Sequence, residues 1–283
     1  MRQIFIDYET YSETDIKSAG NYKYCEDENF EILLCGYMWD TDTDVSIIDL
    51  TKPGGLDEFN ELFTYVKSNE DVVVVAHNAT FERICLREYG FDISPMRFFC
   101  TANMSLYCGM PASLEEVSNI LNLDDKKKGT GKNLIRYFSI PCKPTKTNGG
   151  RTRNLPEHAP EDWEEFIDYL RYDVLSEKEI FGKLSRFEFP EEEQRIYAAD
   201  QRINDYGILA DLELAHAAQD MDEEYKARLT EKAEKDFGLS SLKSMPQLKG
   251  FIKERTGVVI DSLNKDSIEE VIKTVASLKN VTD

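Results

Sequence analysis

The chain has 283 residues, of which 41% are hydrophobic and 11% aromatic, and its formal net charge is −20. These values are typical of a folded globular protein long enough for two domains, and they exclude an intrinsically disordered chain. No run of 18 apolar residues occurs, so we expect no membrane association. The six cysteines form no CxxC pair, which excludes a legible zinc site and favours reduced thiols in a cytoplasmic protein.

The first half of the chain alternates between predicted strands and helices. An apolar strand over residues 4–10 precedes a polar loop, and a hairpin then joins strands 31–39 and 44–50. The wholly apolar run 72–76 is typical of a central strand buried on both faces, and a short strand follows near 96–100. Helices are predicted near residues 56–67, 80–89, 101–107 and 113–121. This order predicts an α/β fold with a mixed five-stranded sheet and flanking helices.

A basic segment, residues 126–153, follows these elements. It contains nine Lys and Arg residues and no acidic residue, so it carries +9 while the remainder carries −29. Such segregation indicates a candidate anion-binding surface, with a solvated basic loop as the alternative. Its Pro and Gly residues predict an extended or mobile excursion rather than regular structure. Residues 129–132 (Gly-Thr-Gly-Lys) lack the remaining pattern of a phosphate-binding loop, and we reject that interpretation.

The rest of the chain is predicted to be mainly helical. A long helix over residues 161–184 has acidic residues at its N-terminus, as the helix dipole favours. A break at 186–190 then separates a first domain, 1–188, from a helical region, 189–283. Amphipathic helices are predicted in that region near residues 212–236, 245–255 and 265–278.

Four acidic residues and one tyrosine fall into positions that bring them together. Asp7 and Glu9 are two residues apart on a strand and therefore point to one face. Glu82 lies in the first turn of the helix after strand 72–76. Tyr169 and Asp173 are four residues apart on one face of the long helix. Each position taken alone is ordinary, because acidic residues often follow strands or begin helices, but the ordered set predicts a cation site.

In this order the motifs Asp-x-Glu, Asn-x-x-Phe-Glu and Tyr-x-x-x-Asp resemble those of 3′-to-5′ exonucleases whose four acids bind two divalent metal ions. The chain looks like the proofreading domain of a family A DNA polymerase, and more closely like the bacteriophage type, through residues 7–12, 76–83 and 142–156. Residues 200–207 and 244–248 resemble the passage into the polymerase domain and the start of its thumb. The resemblance therefore covers nearly the whole chain.

The resemblance implies a ribonuclease H-like fold and two Mg²⁺ or Mn²⁺ ions as cofactors. Asp7 would bridge both ions, Glu9 and Asp173 would complete the one on the nucleophile side, and Glu82 would hold the other. Tyr169, with an ordinary pKa near 10, would orient the attacking water rather than act as a free base.

The implied substrate is the single-stranded 3′ end of a DNA primer strand. Thr10, Asn78 and Phe81 are expected to position the terminal nucleotide through hydrogen bonds and stacking. The basic segment is expected to contact the primer backbone through Lys143, Lys146, Arg151 and Arg153.

The chain ends at Asp283, before the palm carboxylates and fingers helix that the family needs. We therefore expect a fragment or natural truncation that does not synthesise DNA, with the remainder of the polymerase polypeptide as a partner, in a bacterial or phage-infected cell. Two alternatives stay open. One is a non-catalytic nucleic-acid-binding domain, favoured by Glu82 where many relatives have Asp, and the other is an exoribonuclease of the same superfamily.

Overall fold

Five strands form one mixed sheet in the computed structural model, which describes residues 2–123 and 131–279. The strands are β1 (Arg2–Tyr11), β2 (Glu31–Trp39), β3 (Ser46–Asp49), β4 (Val72–Ala76) and β5 (Phe98–Cys100). Their order is β3-β2-β1-β4-β5, with β1 antiparallel to β2 and parallel to β4. The predicted α/β class, with a ribonuclease H-like mixed five-stranded sheet, is confirmed.

The helices fall into two compact units of the chain, Met1–Gly207 and Ile208–Asp283. The helices of the first unit are α1 (Ile16–Cys25), α2 (Gly55–Ser68), α3 (Thr80–Glu88), α4 (Thr101–Tyr107), α5 (Leu114–Ile120), α6 (Gly131–Phe138), α7 (Pro160–Leu184) and α8 (Glu191–Tyr206). Those of the second unit are α9 (Leu212–Phe237), α10 (Met245–Thr256) and α11 (Lys265–Lys279). The prediction of a mainly helical second region is therefore confirmed.

The central strand β1 is packed on both faces. Ile4 and Ile6 belong to a core that includes the aromatic side chains of α2, whereas Phe5 and Tyr11 belong to a second core built on α7. Because side chains alternate along a strand, Asp7 and Glu9 share the α7 face with Phe5 and Tyr11. The alternation therefore presents both acids to the long helix.

A glycine in β2 allows α7 to approach the sheet at the level of these acids. Gly36 pairs with Asp7 in the β1–β2 register. A Cβ at Gly36 would lie 2.9 Å from Leu170 Cγ and 3.0 Å from Val174 Cγ2, both on α7. These distances are shorter than ordinary carbon contacts of about 3.5–4.0 Å, so only glycine fits without displacing a side chain of α7. Asp173, between those two residues, is thereby brought close to β1.

Helix α8 packs on the rest of the first unit through a buried arginine of α3. Arg83, which is 2% exposed, donates hydrogen bonds to the two carboxylate oxygens of Asp205 at 2.7 and 2.9 Å and to Gln201 Oε1 at 3.1 Å. These contacts extend the first compact unit to Gly207, beyond the boundary predicted at residue 188. That the helical region begins a polymerase domain stays a prediction.

The prediction of a polar loop after β1 is wrong, because α1 forms there. Asp15 begins this helix by accepting a hydrogen bond from the Lys17 backbone N–H at 3.2 Å, and Tyr24 and Cys25 at its end are buried. Gly20, with φ of 80°, interrupts the helical backbone in the middle. The interruption breaks the 3.6-residue pattern by which a helix is identified in a sequence.

The prediction that the basic segment lacks regular structure is wrong in part, because residues Gly131–Phe138 form α6. Phe138 is 1% exposed and packs against two aromatic residues of α7, with ring centroids 4.9 Å from Trp163 and 5.4 Å from Phe166. Tertiary burial thus stabilises a helix too short to be stable alone. Three lysines of the basic segment, Lys126, Lys127 and Lys128, lie outside the described residues.

All six cysteines are free thiols, as predicted. Within residues 2–123 and 131–279, no helix is both long and apolar enough to cross a membrane.

We expect Gly36→Val to lower the free energy of unfolding of the first unit by about 1–3 kcal/mol, because the new side chain overpacks against Leu170 and Val174. Urea unfolding measures the change. The control is Gly182→Ala on α7, where an added Cβ meets nothing within 4 Å. Equal stability of the two variants would contradict the argument.

Candidate active site

Four of the predicted residues meet between β1 and α7. Glu9, Tyr169 and Asp173 are each less than 8% exposed, and Asp7 is half-buried. The Tyr169 hydroxyl donates a hydrogen bond to the Asp173 carboxylate. Burial raises the pKa of Tyr169 far above its ordinary value, and the negative charges of Asp173, Glu9 and Asp7 raise it further. Tyr169 therefore keeps its proton at neutral pH and acts as a donor.

Strand β1 is irregular immediately after its second acid, Glu9. The register of β1 with β2 shifts between Glu9 and Thr10. Such β-bulges redirect side chains and are frequent beside active sites.

Glu82 approaches the same acids from the other side of β1. It lies in the first turn of α3, after β4, and is 3% exposed. Burial raises the pKa of Glu82 well above its ordinary value, and the negative charge of Asp7 adds to the shift. Glu82 Oε2 is buried and, in the described part of the chain, has no hydrogen-bond partner. A buried carboxylate oxygen without a donor is a suitable ligand for a cation.

A fifth carboxylate, Glu177, was missed by the sequence analysis. It is 1% exposed, one helical turn after Asp173 on α7, and accepts a hydrogen bond from the His77 backbone N–H. Burial raises the pKa of Glu177 well above its ordinary value, and Asp7 and Glu82 raise it further. Its signal in the sequence is the spacing of four residues from Asp173, which places both on one face of the helix.

The turn after β4 and the first turn of α3 each carry one predicted substrate residue. Asn78 is exposed and has a positive φ of 66°, a conformation that Asn tolerates better than most residues. Phe81 is half-buried. The His77 ring is held within the chain, since Nδ1 lies 2.9 Å from Thr101 Oγ1 and Nε2 lies 2.7 Å from Ala112 O.

Tyr24 of α1 connects the predicted substrate residues Thr10 and Phe81. Its hydroxyl lies 2.8 Å from Thr10 Oγ1, and its ring centroid lies 5.9 Å from that of Phe81. The sequence analysis missed Tyr24, because it assigned this segment to a loop. Only the tertiary position of α1 shows that the residue belongs here.

A cleft of about 590 Å³ opens beside Tyr24. One wall is residues 12–17, directly after the acids of β1, and the other is α6, with Lys132, Ile135 and Arg136. Lys132 and Arg136 are exposed, whereas Ile135 is half-buried. The cleft thus combines an apolar surface and cations, which suit an aromatic base joined to a phosphate, with two acids, Glu13 and Asp15, on the wall opposite α6.

The structure separates the four predicted backbone-contacting residues into two pairs. Lys143 and Lys146 are exposed. Arg153 lies 3.9 Å from the centroid of the Tyr11 ring and donates to both carboxylate oxygens of Glu31, at 3.0 and 2.5 Å. Arg151 donates to Asn154 Oδ1 at 2.8 Å. The two arginines therefore have structural partners within the chain, while the two lysines extend into solvent.

The acidic cluster, defined as Asp7, Glu9, Glu82, Asp173 and Glu177, offers carboxylate oxygens only. Such ligands suit hard cations such as Mg²⁺ and Mn²⁺. As the described side chains stand, no group of three or more His, Cys, Asp and Glu is arranged to hold a metal ion. Binding would therefore need side-chain movement within the cluster, which a cation favours because it offsets the repulsion between carboxylates.

Comparison with known proteins finds similarity to a phage DNA polymerase. A curated relative, the DNA polymerase of Bacillus phage SP02, is 43% identical over 274 residues, which cover 96% of this chain and 42% of the relative. The chain thus spans less than half the length of that protein. No protein-family model matches the chain.

The raised pKa values of Glu82 and Glu177 predict a pH-dependent stability without divalent cations. Above the usual carboxyl pKa of 4.5 the unfolded chain loses these protons while the folded chain keeps them, so stability falls as pH rises towards the folded pKa values. We expect Glu177→Gln to reduce this fall and to raise the melting temperature at pH 7, measured from about pH 4.5 to 8 in chelator. Glu164→Gln, at an exposed site on α7, should leave the profile unchanged.

Proposed function

We propose that the chain is a 3′-to-5′ exodeoxyribonuclease domain joined to the beginning of a DNA polymerase domain, and that it removes nucleotides from the single-stranded 3′ end of a primer strand. The observation that carries the proposal is the convergence of Asp7, Glu9, Tyr169 and Asp173 between β1 and α7, with Glu82 opposite. The relative named DNA polymerase supports DNA as the substrate and a phage-infected bacterial cell as the location.

The acidic cluster is the proposed site for two Mg²⁺ or Mn²⁺ ions. The negative charge of Asp7 raises the pKa of both Glu82 and Tyr169, so Asp7 interacts with the α3 side and with the α7 side of the cluster. Asp7 would therefore contribute to both ions, Glu9 and Asp173 to one, and Glu82 to the other. When bound, two such ions activate a water and stabilise the leaving 3′ oxygen of an in-line displacement.

Tyr169 has a separate role in the proposal. Its raised pKa keeps the phenol protonated at neutral pH, so it does not remove a proton from the attacking water. Its hydroxyl orients the Asp173 carboxylate by donating a hydrogen bond. The tyrosine and the aspartate together would thus orient the attacking water.

The cleft beside Tyr24 is the proposed path of the DNA strand. Asn78, just before α3, and Phe81, next to Glu82 in the first turn of α3, would contact the terminal nucleotide. Ile135 of α6 would contact the preceding base, while Lys132 and Arg136 would neutralise phosphates. A strand along this path would present its 3′ end to the acidic cluster, as an exonuclease requires.

We expect degradation of 5′-labelled single-stranded DNA from its 3′ end in Mg²⁺ or Mn²⁺, and none in chelator. Asp7→Ala should lower the rate by at least about 10²-fold, because it removes an electrostatic contact to both reacting ends. Asp44→Ala, which removes an exposed acid between β2 and β3, is the matched control.

The time course is repeated with a matched RNA, and melting temperatures are measured with and without Mg²⁺. Three outcomes would reject the proposal. Degradation in chelator excludes a metal-dependent reaction, and faster cleavage of a matched RNA favours an exoribonuclease. If Mg²⁺ raises the melting temperature of the wild type but not of Asp7→Ala, and no DNA is cleaved, the chain is a non-catalytic binding domain.

The exposed lysines of the basic segment should contact the DNA backbone. We expect Lys143→Ala with Lys146→Ala to weaken binding of single-stranded DNA. The slope of log K against log salt should fall by about 0.7 for each phosphate that the lysines no longer neutralise. Fluorescence anisotropy between about 50 and 300 mM salt, the range in which such slopes are read, measures both quantities.

The arginine pair provides a comparison for the lysine pair. Unlike the lysine variant, Arg151→Ala with Arg153→Ala should lower the free energy of unfolding, because Glu31 and Tyr11 lose Arg153 as their partner. An unchanged slope in both double variants would exclude the basic segment as the DNA-contacting surface.

A further inference from the structure

A glycine that the acidic motifs do not include lies directly against the ring of Tyr169. Gly131 is buried and is the first residue of α6. A Cβ built on Gly131 would lie 2.0 Å from Tyr169 Cε2, 2.5 Å from Cδ2 and 2.7 Å from Cζ. Ordinary carbon contacts are about 3.5–4.0 Å, so no other amino acid fits while the ring keeps this place.

The ring has little freedom to avoid such a contact. Tyr169 is 6% exposed, its ring stacks on Phe166 with an interplanar angle of 18° and a centroid distance of 6.4 Å, and its hydroxyl is bonded to Asp173. A side chain at 131 would therefore displace either the ring or α6. Displacement of the ring would alter the position of the hydroxyl relative to Asp173, and displacement of α6 would remove the surface that confines the ring.

Backbone conformation does not explain the glycine. Gly131 is not among the glycines with positive φ, so its conformation is open to other residues. Glycine is also among the least favourable residues within a helix. The contact with Tyr169 is then the reason for glycine at this position.

We propose that Gly131 is a positioning residue. Because glycine has no side chain, the Tyr169 ring can occupy the place from which its hydroxyl reaches Asp173. The inference rests on the proposed exonuclease function and extends it to α6. Because Lys132, Ile135 and Arg136 of the same helix line the cleft, one short helix both bounds the proposed strand path and fixes the tyrosine.

The experiment compares Gly131→Ala with Tyr169→Phe in the full chain. We expect each to lower kcat by about 10²-fold. Tyr169→Phe removes the hydroxyl, and Gly131→Ala displaces it, where a displacement of about 1 Å can cost that much. KM should change less than roughly threefold, since neither residue is assigned a direct contact to DNA. The double variant should be no slower than the slower single variant. Gly182→Ala, the helical glycine with open space around it, should match the wild type.

A stability cycle tests the contact without catalysis. Gly131→Ala should lower the melting temperature by about 5 °C when Tyr169 is present and should not lower it in Tyr169→Ala, where the ring is missing. If Gly131→Ala alone does not fold, recovery of folding in the double variant supports the same contact.

Two results would overturn the inference, namely wild-type kcat in Gly131→Ala or an equal loss of stability in both backgrounds. A wild-type chain without metal-dependent cleavage would instead overturn the proposed function, and with it the catalytic meaning of the pair. The stability cycle would still report whether Gly131 seats the ring.

Discussion

The acidic cluster imposes one electrostatic constraint on the first unit, which is that its carboxylates cannot all be charged without a counter-charge. Glu82 and Glu177 are both buried, and burial together with the negative charge of Asp7 raises the pKa of each. Either protons or cations must therefore offset the repulsion. The rest of the unit supplies the stability that tolerates this arrangement, with aromatic and aliphatic cores on both faces of β1.

The same constraint explains why the cluster is assembled from separate elements. Two acids come from a strand, one from the start of a helix after a parallel strand, and two from a long helix crossing above. Their close approach depends on backbone geometry, including the missing side chain of Gly36 opposite Asp7. Rigid elements that are distant in sequence thus hold these like charges close together, whereas a single flexible loop would let them move apart.

The sequence predicts those parts of the structure that depend on short, regular patterns. The apolar run 72–76 coincides with β4, and the two-residue and four-residue spacings place Asp7 with Glu9 and Tyr169 with Asp173. What fails depends on tertiary packing. Helix α1 is interrupted by a glycine, and α6 is stabilised by the aromatic residues of α7, so neither has a complete periodic signal.

Residues of the site were missed for different reasons. Glu177 continues the helical spacing and could have been found from it. Tyr24 could not, because its place beside Thr10 depends on how α1 packs. For Gly131, the sequence showed only a failed phosphate-loop pattern, since its contact with Tyr169 joins two helices that are distant in the chain. Charge alone also did not distinguish the solvated lysines of the basic segment from Arg153, which is paired with Glu31.

The buried Arg83 sets the smallest fragment in which the acidic cluster can be studied in isolation. Its guanidinium is desolvated and paired with Asp205, near the end of α8. Ending the polypeptide at residue 188 would remove the whole of α8, and with it Asp205 and Gln201, the hydrogen-bond partners of Arg83, which is next in sequence to Glu82. The compact unit around the acids runs to Gly207, and α8 belongs to it as a structural support of the cluster.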